Sequence, residues 1–552
     1  MTETSKFVDW LATTLHQAGT RRAFGVPGGG SSLDLIAALR NAGIETTVTA
    51  REDAAIMMAG VSGVLGDAPG VAFTTKGPGL ASGANGLACA ALDRLPVLLI
   101  SEAFEPGELG YLSHQVFDQN EFAGPLLRQA NSSYVTADVQ GVSTWLADAL
   151  GTPHKPGVML PNSRDYGVAA PDQPSPNAVP AGATAAQSSL APVARAIAEA
   201  KRPIIVVGLG AARRAVTPAL RAFAQTLGAP VLCTYMAKGC VADDHPQFAG
   251  IFTGGAIEQS CVNDADLIVL VGLDPVELIR KPWPYDIPVV DLNEVVHSPH
   301  YIEPQWRVVA NLAHTLSALE PLITPSEWTN EAIGKHRERF LNGMTIPPGN
   351  GQGATTGSEN NAGVGSTEVV TRAAAAFTNA DGALPRLAVD AGAHMFSACA
   401  FWPCHAERDL LISNGLATMG FALPAGLAAA VHDPKRGAVA MTGDGGVLMC
   451  LGELKTAAQT QANLTTIVFN DGRLSLIDIK RQERQMSDMG MSWDRPDFAT
   501  IARGFGHTAW QAKDSRELAQ ALDEASHLEG PKLIDVWIDS AGYSDQLKAL
   551  RG

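Results

Sequence analysis

Two short polar clusters set among glycines carry the strongest chemical signal in the sequence: Gly443-Asp444-Gly445-Gly446 and Asn470-Asp471-Gly472. Each closes an apolar run, GAVAMT in the first case and LTTIVF in the second, and a helix-length segment rich in Leu, Ala, Lys and Gln lies between them. That order predicts one βαβ unit. Parallel strands joined by a helix present their carboxyl ends at one edge, so Asp444 and Asn470 are expected to converge there. An Asp carboxylate, an Asn amide oxygen and a backbone carbonyl at Gly472 form an oxygen-only set suited to Mg2+, which fills its other positions with water and phosphate oxygens. Gly443, Gly445 and Gly446 let backbone N–H groups approach a phosphate where the following helix begins. Taken singly, each cluster is an ordinary turn composition. Together, one helix and one strand apart, they point to a metal-bound diphosphate.

The elements that must hold such a site recur along the chain. RRAFGVPG, ETTVTA, GVAFTT and LPVLLIS, each followed by a longer amphipathic stretch, predict a parallel sheet with helices on both faces over residues 1–165. Residues 166–189 are rich in Pro, Ala and Ser without periodicity and read as a linker. RPIIVVGLG, APVLCTYM, ADLIVLVGL and IPVVDLN predict a second, Rossmann-like unit over 190–325, followed by a helix and a Gly/Asn/Ser-rich linker over 326–366. LPRLAVDAG, GAVAMTGDGG, LTTIVFNDG and KLIDVWID predict a third unit over 367–552. The expected fold is therefore α/β, with three doubly wound parallel-sheet domains.

Composition excludes several classes. The 552 residues carry 40 Lys plus Arg against 56 Asp plus Glu, a net charge of −16 with no long basic run, which argues against nucleic-acid or anionic-membrane partners. Seven cysteines without a C-x-x-C pair fit buried thiols in a reducing compartment better than disulfides or zinc. The N-terminus is acidic and amphipathic and lacks a secretory pattern. Residues 415–431 are uncharged, yet they contain Pro424 and fall short of the ~20 apolar residues a membrane span requires. A cytoplasmic protein is expected.

With these residues in view, nearly the whole chain resembles the decarboxylase and carboligase branch of the thiamine-diphosphate enzymes, which includes acetolactate synthase, benzoylformate decarboxylase and pyruvate decarboxylase. The resemblance implies the order pyrimidine-binding, middle and pyrophosphate-binding domain. Its N-terminal part rests on FGVPGGGSSLDL (24–35), VTAREDAAIMMAG (48–60) and TTKGPGLASGANGLACAALDRLPVLLIS (74–101). It makes Glu52 the acid that bonds the cofactor's pyrimidine and assists loss of the thiamine C2 proton. An acid at that position could equally be a favourable charge at a helix N-terminus. Pro27, Gly28, Gly77, Pro78, Gly79 and Asn85 fall in the family's loops beside the pyrimidine. In the third unit, DAGAHMF (390–396) implies diphosphate contacts from Gly392 and His394. NGLATMGFALPAG (414–426) implies cofactor contacts from Leu416 and Met419, with Met419 wedged between the two rings.

The substrate side is sparser. His114 and Gln115, in YLSHQVFDQNEF, match positions that face the reacting carbonyl in the family; a hydrated loop is the plain alternative. Where the decarboxylases carry an acid in the helix after NDG, this chain has Leu476. That departure favours an enzyme that decarboxylates a 2-oxo acid and keeps the carbanion dry until a carbonyl acceptor arrives. A simple 2-oxo acid decarboxylase and a 2-hydroxyketone or diketone lyase are the enzymatic alternatives. A cofactor-binding regulatory protein would require a broken element, whereas Glu52, Asp444 and Asn470 are all present. GLGAARR (208–214) is an incomplete dinucleotide fingerprint and the weak basis for an NAD(P) oxidoreductase. GLDPVELIRKPWPY (272–285) replaces the family's flavin-associated arginine segment, so FAD is not expected. The family's site architecture implies a homodimer or homotetramer.

Overall fold

The structure is a computed structural model describing residues 6–105, 107–111, 113–151, 153–170, 187–278, 283–297, 302–346 and 363–552. Most of both linkers, and residues 279–282 of the segment expected to replace the flavin-binding one, lie outside the described residues. Every paired strand within the three sheets is parallel to its neighbour.

The first sheet contains β1 (Arg22–Val26), β2 (Glu45–Val48), β3 (Gly70–Thr74), β4 (Val97–Ser101), β5 (Tyr134–Val135) and β6 (Gly157–Met159), in the order β2-β1-β3-β4-β6-β5. The second contains β7 (Pro203–Val207), β8 (Val231–Cys233), β9 (Phe248–Ile251), β10 (Leu267–Val271), β11 (Val289–Asn293) and β12 (Trp306–Val309), in the order β12-β11-β10-β7-β8-β9. The third contains β13 (Val364–Gly365), β14 (Arg386–Val389), β15 (Leu410–Ile412), β16 (Ala438–Gly443), β17 (Leu464–Asn470), β18 (Thr508–Ala512) and β19 (Lys532–Asp539). Its order is β13-β19-β17-β16-β14-β15, with β18 also on β19. Central strands such as PIIVV (β7) and LIVLV (β10) are buried along their whole length, the pattern of a parallel sheet covered on both faces.

Strand order reverses between β1 and β3, between β7 and β10, and between β14 and β16. Loops diverge at such a switch point and leave a crevice at the carboxyl edge, where open α/β sheets bind ligands. The first and third units share one apolar core. Its centre is the helix Glu52–Gly66, whose sequence EDAAIMMAGVSGVLG is buried on almost every side. A helix apolar all round must be enclosed, and this one packs between its own sheet and the helix Ala422–His432, which is equally rich in Ala and Gly. Two polar ties fix the junctions. Buried Asp93 accepts from Ser413 Oγ (2.5 Å) and the Gly415 N–H (2.6 Å), and Arg94 pairs with Asp274 of the second unit at 2.8 Å.

Candidate functional site

The β14/β16 switch point opens onto a cavity of about 410 Å3. Of the residues expected to form the site, Gly392, His394, Met419, Gly443, Asp444, Gly445 and Gly446 line it. Asp444 follows β16 as the first residue of the helix Asp444–Met449, and Asn470 ends the neighbouring β17. Asp444 is 3% exposed and Asn470 fully buried. Asp444 Oδ1 accepts from the Gly445 N–H at 2.9 Å, but Asp444 Oδ2 and Asn470 Oδ1 have no hydrogen-bond partner. Two buried oxygens left bare are costly. A divalent cation would satisfy both.

Asn470 is oriented by its surroundings. Its Nδ2 donates to the Pro496 carbonyl and to Asp535 Oδ1, both at 2.9 Å, so both amide protons are used and Oδ1 is left as the available acceptor. Gly472 adopts φ +70°, and its carbonyl accepts the Trp493 N–H at 2.8 Å, which leaves one lone pair. Among the described residues no three His, Cys, Asp or Glu side chains converge on a metal position. A cation here would thus draw on one carboxylate, an amide and a carbonyl, with phosphate and water completing the set. Burial and the neighbouring Asp471 push the Asp444 carboxyl up to about 7, against the lowering effect of the nearby Gly445 and Gly472 amides and the Trp493 indole.

The glycines have specific work. A Cβ on Gly446 would lie 2.3 Å from Asp390 Oδ2, so only glycine brings the start of the helix this close to β14. Asp390 is fully committed: it accepts from the N–H groups of Phe421 (2.6 Å) and Ala422 (2.7 Å) and from Thr442 Oγ1 (2.5 Å). It thereby anchors the segment that presents Met419. That segment includes Ala417 at φ +56°, a left-handed conformation uncommon outside glycine. Leu416 packs against the core shared by the first and third units. His394 begins its helix and stacks on Phe469 with ring centroids 5.2 Å apart. Its Nε2 is buried without a partner, and burial lowers the imidazole to about 4.

The first unit's residues gather elsewhere. Glu52 opens its helix, half-buried, with Oε2 accepting from Ser82 Oγ at 2.7 Å. Pro27 and Gly28 follow β1, Gly77 and Pro78 follow β3, and a Cβ on Gly28 would be 2.3 Å from Thr75 Oγ1. Gly77 has φ +64°, and a Cβ there would be 2.7 Å from the Gln115 carbonyl, so the exposed turn bearing His114 and Gln115 rests on Gly77. None of these residues lines the cavity at Asp444; its walls come from the second and third units. Asn85 does meet Met419, across a second cavity, and accepts from Thr418 Oγ1 at 3.2 Å.

Sequence reasoning missed the supporting acids. Asp390, Asp535, Glu102 and Glu453 are buried and bonded to backbone or side-chain donors around the site. Their signal was available, since a lone acid within an apolar strand such as KLIDVWID is costly to bury unless it is bonded.

A fold of three parallel sheets, with a crevice at the carboxyl edge of the third that sets a few polar groups against an apolar wall, defines an α/β cofactor enzyme. Its regions match, in order, the N-terminal TPP-binding domain (5–122), central domain (190–319) and C-terminal TPP-binding domain (390–536) of thiamine pyrophosphate enzymes. The chain belongs to this family, and thiamine diphosphate is its cofactor. It is similar to an acetolactate synthase of Bacillus subtilis (25% identical, covering 97% of this chain and 92% of that one) and a catabolic acetolactate synthase of Raoultella terrigena (27%, 96% and 94%). It is also similar to the acetolactate synthase isozyme 3 large subunit of Escherichia coli (26%, 97% and 95%). Among the described residues no helix is long and apolar enough to cross a membrane.

Proposed function

We propose that this thiamine-diphosphate enzyme decarboxylates a 2-oxo acid and transfers the resulting acyl carbanion to a carbonyl acceptor, using Mg2+ to hold the cofactor. The observation that carries the metal is the pair of bare buried oxygens, Asp444 Oδ2 and Asn470 Oδ1. They and the second lone pair of the Gly472 carbonyl would hold the cation. The Gly446 N–H and the ring of His394 would hold the diphosphate, and Met419 would bear on the cofactor rings. Bound thiamine diphosphate supplies a carbon nucleophile and an electron sink for loss of carbon dioxide.

Carboligation is supported by the cavity wall. Leu476 stands there with Leu474, Val276, Leu278 and Leu550. Of the acids on this cavity, Asp444 is the one assigned to the cation, Glu277 accepts from the Leu209 N–H (2.8 Å) and Thr234 Oγ1 (2.5 Å), and Asp471 accepts from Ser475. The apolar side chains of this wall keep water from a carbanion, so that it survives to meet a second carbonyl. Product analysis with pyruvate, benzoylformate and aldehyde acceptors tests the reading. Hydroxyketone or acetohydroxyacid products support it, whereas release of aldehyde alone makes the chain a simple decarboxylase.

Glu52, Gly28, Gly77, Gln115 and His114 would serve the same reaction from a second copy of the chain, because no described residue of the first unit lines the Asp444 cavity. A homodimer is the smallest assembly that completes the site. We place the enzyme in the cytoplasm, in keeping with seven buried free thiols, and without FAD, in keeping with GLDPVELIRKPWPY (272–285) in place of the family's flavin-associated arginine segment.

A further inference from the structure

Glu453 is the first residue of the helix Glu453–Thr460, in the same βαβ unit as Asp444, yet it faces the other way, toward the first unit. Its carboxylate is fully buried. Oε1 accepts from the backbone N–H groups of Ala50 (3.1 Å) and Arg51 (3.0 Å), and Oε2 from Thr456 Oγ1 (2.7 Å). The contact is tight: a Cβ on the preceding Gly452 would lie 2.7 Å from the Ala50 Cβ. Burying a carboxylate is costly unless charge-assisted bonds offset the loss of water. Here the offsetting donors are the two peptide N–H groups that lead directly into Glu52.

Those two peptides govern where Glu52 points. Glu52 is the first residue of its helix, and its carboxylate has one side-chain partner, Ser82. The Arg51 side chain turns back onto Asp53 at 3.0 Å, and Thr49 Oγ1 donates to the Arg51 carbonyl at 2.9 Å. What ties this turn to the rest of the molecule from the far side is Glu453. We propose that Glu453 is a positioning residue for Glu52, clamping the Ala50 and Arg51 amides so that the Glu52 carboxyl meets the cofactor at a fixed place. This rests on the reading of Glu52 as the acid that assists loss of the thiamine C2 proton.

The test compares Glu453→Ala, Glu453→Gln and Glu52→Gln in the full-length protein. Gln at 453 keeps an acceptor for both amides, whereas Ala removes it. In cofactor-free protein, amide hydrogen exchange at residues 50 and 51 is expected to accelerate at least about tenfold in Glu453→Ala and to stay near wild type in Glu453→Gln. In cofactor-loaded protein, the C2 proton exchange rate and kcat of Glu453→Ala are expected to fall together by about 10–100-fold, with KM for the oxo acid and affinity for thiamine diphosphate unchanged. Glu453→Gln is expected to restore both rates. Wild-type C2 exchange in Glu453→Ala, or equal losses in Ala and Gln, would overturn the proposal. If Glu52→Gln itself exchanges at the wild-type rate, the reading of Glu52 fails instead. If Glu453→Ala does not fold, Glu453→Asp, too short to reach both amides, is expected to show the same paired loss; wild-type exchange there overturns the proposal.

Discussion

Asn470 and Asp535 meet diagonally across the neighbouring strands β17 and β19, with Asn470 Nδ2 donating to Asp535 Oδ1 at 2.9 Å. Asp535 also accepts from the Phe498 N–H (3.2 Å) and Gln511 Nε2 (3.1 Å), so it is itself fixed. It turns the Asn470 amide so that Oδ1, the bare oxygen, is the atom offered to a cation. Asp535→Asn can present an N–H where the carboxylate oxygen stood and no longer dictates that orientation. Mg2+ affinity is expected to fall about 10–100-fold, read by titrating Mg2+ at saturating thiamine diphosphate. An unchanged affinity would mean that Asn470 is oriented by Pro496 alone.

In the proposed carboligase, Leu476 stands where an acid would favour aldehyde release. Leu476→Glu introduces an acid on the cavity wall, and a positioned acid typically speeds protonation by 10²–10⁴-fold. The product ratio is expected to move toward aldehyde by about tenfold or more, measured by chromatography of products from pyruvate. A ratio that does not move would show that the fate of the carbanion is decided elsewhere.

His394 links pH to the stability of the cofactor-free protein. Burial lowers its folded value to about 4 from an ordinary 6.5. Below pH 6.5 the unfolded chain takes up a proton that the folded chain refuses, so stability is lost as pH falls from about 6.5 to about 4, and this residue adds no slope above that window. His394→Gln is expected to flatten that part of the denaturation profile. Diphosphate binding is expected to raise the His394 value, because an adjacent anion favours imidazolium; NMR titration of labelled histidine reads it directly.

Subunit mixing tests the shared site. In the proposed two-copy site Glu52→Gln and Asp444→Ala each break a different half, so both pure variants are expected to be nearly inactive. If the halves come from different copies, mixed dimers carry one intact site, and an equimolar random mixture recovers about a quarter of wild-type activity. No recovery after verified subunit exchange would place both residues in one chain's site.

The sequence conveyed the βαβ at Asp444 and Asn470 well, because strand, glycine turn, helix and strand follow in one continuous segment. The long buried strands were equally legible. Short edge strands such as β5 and β13, of two residues each, were not, since they lack the length to show a pattern. The linker expected to run to residue 189 gives way to the helix Gln187–Glu199, because Ala- and Ser-rich composition is compatible with either. The contacts that orient the site were hidden for a different reason. Asp535, Asp390 and Glu453 act on residues far away in the chain, and only the folded sheets reveal which amides each one meets.

In the proposed site Asp444 Oδ2 and Asn470 Oδ1 hold a divalent cation that in turn holds the cofactor's diphosphate. Thermal unfolding with thiamine diphosphate and Mg2+, singly and together, tests it most directly, since a ligand at 100 times its Kd stabilises by about 2.7 kcal/mol. Wild type is expected to gain its large shift only when both are present, and Asp444→Ala to show none. An Asp444→Ala protein that keeps the full shift, or a wild type stabilised by thiamine diphosphate equally well without divalent cations, would contradict the account.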